Sequence, residues 1–72
     1  MFVLQFIVNG TIESVDAGSD NVDALKQFAV TLNANEPLEW INYAGSNYSA
    51  AVEGGADDTE LMGYRIVEIQ KV

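Results

Sequence analysis

The sequence predicts one α+β domain over residues 1–72, in which a small antiparallel β-sheet with the element order ββαβββ packs on one amphipathic helix. Three observations predict it. Asn9-Gly10 lies between two apolar-rich runs, and Asn-Gly there is a strong hairpin signal. One segment, beginning near residue 20, repeats its apolar residues at helical spacing. The last run, 61–72, is rich in β-branched residues.

The first hairpin covers residues 2–16. A type I′ turn needs φ > 0 at both central positions, which Asn and Gly tolerate. With Asn9 and Gly10 there, Val8 pairs with Thr11, Ile7 with Ile12, Phe6 with Glu13 and Leu4 with Val15. Paired residues share a face. The expected core face is therefore Phe2, Leu4, Phe6, Val8 and Val15, and the other face carries Val3, Gln5, Ile7, Ile12 and Ser14.

After Ala17-Gly18-Ser19, Asp20 reads as a helix N-cap with Asp23 three residues on. The helix then runs to about Asn33, with Val22, Leu25, Phe28, Ala29 and Leu32 as its inward stripe. Asn33 suits a left-handed cap, and Pro37 blocks continuation.

Residues 38–53 admit two readings. One is a second hairpin, Leu38 to Tyr43 and Tyr48 to Glu53 around a turn at 44–47. The other is a short helix from Pro37 with Leu38 and Ile41 inward. Trp40, Ile41, Tyr43 and Tyr48 favour strands, and Gly-Ser-Asn favours a turn, so the hairpin is preferred. Residues 54–60 form an acidic loop. The strand 61–72 carries apolar groups on both faces, which points to a central or interfacial position.

A chain of 72 residues buries a small core, and such domains often add disulfides, a metal or a second subunit. There is no Cys and no His, so disulfides are excluded and a zinc site would need oxygen ligands throughout. No cofactor is expected. A homodimer is the remaining support, beside good packing. The first apolar stretch, Met1 to Val8, is too short to span a bilayer and lacks a basic leader, so a cytoplasmic protein is expected. The sequons at Asn9 and Asn47 read as chance.

Catalytic chemistry finds little support. Without His or Cys the familiar nucleophilic triads are missing, and no S-x-x-K occurs. Gly54-Gly55 precedes acids, which repel phosphate. The oxygen-rich segments 16–23 and 56–60 miss the calcium-loop register. The expectation is a protein that is not an enzyme.

Charge is the strongest bulk signal. Eleven acids face three bases, a formal net charge of -8. That balance disfavours direct nucleic-acid binding and anionic membranes, and favours a basic protein surface as partner. The acids are also segregated. Glu13, Asp16, Asp20 and Asp23 form one segment without a base, and Glu53, Asp57, Asp58 and Glu60 form another. Elsewhere acids and bases balance. The bland explanation is a helix dipole served by Asp20 and Asp23, with the other acids keeping the domain soluble. The sharper one is a binding face, laid out as phosphates are in a nucleic acid. Trp40, Tyr43 and Tyr48 cluster on the second hairpin as an aromatic binding patch or as core. The function expected is thus non-catalytic binding by a small acidic inhibitor or modulator of a basic, nucleic-acid-binding surface. The alternative is an assembly component that acts through homo-oligomerisation.

Overall fold

The computed structural model describes residues 1–45, 47–54 and 60–69. Its elements are β1 (Phe2–Val8), β2 (Thr11–Ser19), α1 (Val22–Leu32), β3 (Ile41–Ala44), β4 (Asn47–Gly54) and β5 (Glu60–Glu68). The strands form one antiparallel sheet in the order β2-β1-β5-β4-β3. The ββαβββ fold is the one the sequence predicts. The hairpin reading of the second half holds, with β3 starting later than expected. The last strand is central, between β1 and β4. No described helix is long and apolar enough to cross a membrane.

Asn9 (φ 51) and Gly10 (φ 78) both take positive φ, as a type I′ turn requires. The first rungs, Val8 with Thr11 and Ile7 with Ile12, match expectation. The next do not. Phe6 pairs with Ser14 rather than Glu13, and Leu4 pairs with Ala17 rather than Val15. The register slips past Glu13 and again past Asp16, two bulges in β2. A one-residue slip moves side chains to the other face. Val15 therefore leaves the core face, sits opposite Gln5 and is 59% exposed.

The helix packs on one side of the sheet against β2, β1 and β5. The core there is Leu4, Leu25, Ala29, Tyr64 and Ile66, flanked by Phe2, Phe6, Ala17, Val22, Leu38, Trp40 and Tyr48. The Phe6 and Tyr64 rings meet at 5.2 Å between centroids, tilted by 44°. The inward stripe of α1 is narrower than periodicity suggests. Leu25 and Ala29 are buried, while Phe28 and Leu32 are exposed.

The helix ends where expected, with Asn33 as its C-cap, but the N-cap and the left-handed position are each shifted by a residue or more. Asn21, not Asp20, is the N-cap, and its Oδ1 accepts the Ala24 N–H at 3.2 Å. Ser19 Oγ accepts the Asn21 N–H at 3.0 Å, which fixes the entry. At the other end Asn33 has φ -90, and the left-handed positions are Ala34 (φ 55) and Asn35 (φ 60). The Asn35 N–H donates to the Val30 carbonyl at 2.9 Å, which closes a Schellman-type cap around Ala34.

The opposite face of the sheet has no described helix or strand on it. Its middle rung runs Val15, Gln5, Arg65, Ser49, Ile41 across all five strands. A neighbouring rung carries Ile12, Ile7, Gly63 and Ala51. Ile12 is 52% and Ile41 64% exposed. Ile7, between Ile12 and the buried Gly63, is buried on this side too.

Candidate interaction surface

The first acidic segment runs along a sheet edge. β2 is an outer strand, and Glu13 and Asp16 are the two residues its bulges leave without a cross-strand partner. Bulges and charges on an outer strand discourage another chain from extending the sheet there. This is a structural reason for acids at those two positions, and the sequence pattern alone did not show it. Ser14 Oγ donates to Asp16 Oδ1 at 2.8 Å.

From Asp16 the chain leads through Ser19 to the start of α1. Asp20 lies in the corner, almost fully exposed, and forms an ion pair at 3.3 Å with the partly exposed Met1 amino group. Asp23 is exposed in the first helical turn, where the helix dipole favours a carboxylate. Glu13, Asp16, Asp20 and Asp23 are all exposed, so they form one acidic ridge along the β2 edge and its corner. An exposed ridge of like charge attracts a basic surface from a distance and loses that pull in salt.

The second acidic segment is placed only in part. Asp57 and Asp58 lie outside the described residues. The backbone of Glu53 pairs with Met62, and that of Glu60 with Gly54. Met62 also pairs with Val8, which pairs with Thr11. Glu53 therefore sits on the rung of Thr11, at the Asn9-Gly10 end of the sheet. Asp20 and Asp23 follow the opposite end of β2. At about 3.3 Å per residue the strand separates the two ends by more than 20 Å. The structure thus brings Glu13, Asp16, Asp20 and Asp23 into one ridge and does not join Glu53 and Glu60 to its helix end.

Of the aromatic group, Trp40 and Tyr48 are half-buried and pack on the core. Lys26 Nζ lies 4.3 Å from the centre of the Tyr48 ring, in cation–π geometry. Those two side chains already serve the helix-covered side. The Tyr43 side chain lies outside the described residues. Among the described residues no three Asp or Glu side chains gather closely enough to hold a metal ion.

Among the described residues, the Tyr64 hydroxyl is shifted by its surroundings. Burial, and secondarily the charge of Asp16, raise the Tyr64 hydroxyl above the ordinary 10.0.

The sequence reading did not assemble the open face. Arg65 lies at its centre, half-buried, with Gln5 on one side and Ser49 on the other. Among the described residues it makes no ion pair. Val15, Ile12 and Ile41 surround it at greater distance. The available signal was the apolar character of both faces of the last strand.

No family model matches this chain, and no curated protein or solved structure matches it.

Proposed function

We propose that this chain is a non-catalytic binding protein that uses its acidic ridge to occupy a basic surface, including a nucleic-acid-binding one, on another protein. The observation that carries the reading is the run of Glu13, Asp16, Asp20 and Asp23, all exposed, along one sheet edge and its corner with no Lys or Arg among them. Such a ridge speeds encounter with a positive groove and competes there with phosphates. A rival reading, an assembly component, draws on a different surface, the open apolar face.

Affinity capture of a basic protein from a source extract, eluted by a salt gradient, tests the first reading. Wild type should release its partner at raised salt, and the Glu13→Gln, Asp16→Asn, Asp23→Asn variant should capture far less of it. A partner held equally by both, or released without regard to salt, contradicts the acidic ridge.

A further inference from the structure

We propose that Asn9 is a site of spontaneous covalent modification, where the Gly10 backbone nitrogen attacks the Asn9 side-chain amide and converts it to aspartate or isoaspartate. This is independent of the acidic ridge, whose helix end follows the opposite end of β2.

Asparagine is thermolabile because its amide carbon lies within reach of the next residue's backbone nitrogen. The reaction needs a free side-chain amide, an unbonded backbone N–H after it, and no side chain crowding that nitrogen. The chain holds six asparagines, and only Asn9 precedes a glycine. Asn9 and Gly10 are both exposed. A Cβ built at Gly10 would meet nothing within 4 Å, so a five-membered ring has room there. Among the described residues, neither the Asn9 side chain nor the Gly10 N–H makes a hydrogen bond. The turn also lies past the last rung, Val8 with Thr11, where a strand end opens most readily.

The other five asparagines are held. Asn21 Oδ1 accepts the Ala24 N–H, and Asn47 Oδ1 accepts the Glu68 N–H. Asn33 and Asn42 donate from their side-chain amides to backbone carbonyls. The nitrogen after Asn35 belongs to Glu36 and already donates to the Asn33 carbonyl at 2.9 Å.

In the reaction the Gly10 nitrogen gives its proton to hydroxide and bonds to Asn9 Cγ. The Cγ–Nδ2 bond breaks, and Nδ2 leaves as ammonia with a proton taken from water. Water then opens the cyclic imide at either carbonyl carbon. Opening at Cγ restores the backbone and leaves aspartate. Opening at the backbone carbonyl carbon leaves isoaspartate, with the chain running through Cγ. Each product adds one negative charge to the formal -8. They differ in the turn. Aspartate suits the left-handed first position of a type I′ turn as asparagine does. Isoaspartate inserts an extra backbone carbon between Val8 and Thr11, so the two-residue loop that sets the register is lost.

Peptide mass spectrometry of the purified chain, held at mildly alkaline pH and sampled over weeks, tests the proposal, with circular dichroism confirming the fold of each variant. Asn9 should convert about tenfold faster than any other asparagine, since only glycine leaves the attacking nitrogen uncrowded. Its rate should rise with pH. Gly10→Asn keeps a residue that tolerates positive φ but adds a Cβ, and should slow conversion about tenfold. The Asn9→Asp variant should melt as wild type does, and the isolated isoaspartyl product should melt lower. An Asn9 that stays intact overturns the proposal, as does another asparagine that converts as fast or a Gly10→Asn variant that converts at the wild-type rate. An isoaspartyl product that melts with wild type overturns its effect on the turn.

Discussion

The two faces of this sheet contain similar residues and meet different fates. Leu4 and Ile66 share a rung under the helix and are fully buried, while Val15 and Ile41 share a rung on the other side and lie largely open. Hydrophobicity does not separate them. What separates them is the position of one eleven-residue helix, which reaches β2, β1 and β5 from one side only. The covered side holds most of the buried core, while the open side buries Ile7 and leaves Ile12, Val15 and Ile41 exposed.

The largest effects should come from the covered side. Leu4→Ala or Ile66→Ala should each cost about 2–5 kcal/mol, measured by urea unfolding, because each leaves a cavity in a sealed core. Val15→Ala and Ile41→Ala should each stay within about 0.5 kcal/mol in dilute solution. Equal losses on both sides would break the contrast.

The helix itself offers a finer version. Phe6 is half-buried against Tyr64, so Phe6→Ala should cost about 3 kcal/mol. Phe28→Ala should cost much less, near 1 kcal/mol, although Phe28 falls on the expected stripe. A reversed order would mean that α1 presents another face to the sheet.

Loosening the cover should be measurable but modest. Asn21→Ala removes the cap on the Ala24 N–H and should lower stability by about 1 kcal/mol. Asp20→Asn, at the position the sequence suggested, should do less, as its contact is an exposed ion pair.

The smallest expected effect is alkaline. Folding raises the Tyr64 pKa, so above pH ~10 the unfolded chain loses this proton first. The contribution is complete below that pH and is lost as pH rises through the folded value. Stability should therefore decline at high pH, and Tyr64→Phe should remove part of the decline. An unchanged decline in Tyr64→Phe would show that this hydroxyl titrates as it does in water.

Local chemistry made much of the fold legible. Asn9-Gly10 dictated the first turn, and the apolar repeat from Val22 to Leu32 located the helix. The register beyond Ile12 was hidden, since a bulge depends on how a strand twists against its neighbour and leaves no fixed residue pattern. That error carried Val15 to the wrong face. The helix cap moved by one residue because Asp20 and Asn21 are both good caps, and Ser19 selected the second. For the candidate surface, the sequence exposed the segregation of acids but not their separation along the strands. Distance between Glu53 and Asp20 follows from register across four strands, and no local pattern encodes it. The position of Arg65 at the centre of a five-strand rung emerges only once the strands stand side by side.

The claim that the helix-covered face carries most of the folding energy, while the exposed side chains of the other face add little, is tested most directly by a single variant. Ile12→Ser, Val15→Ser and Ile41→Ser together replace the large exposed side chains of the open face. Unfolding is measured by urea at protein concentrations low enough to keep the chain monomeric. The account predicts a loss of no more than about 1.5 kcal/mol, the sum of three surface changes. A loss equal to or greater than that of Leu4→Ala would show that both faces hold the fold, and would contradict it.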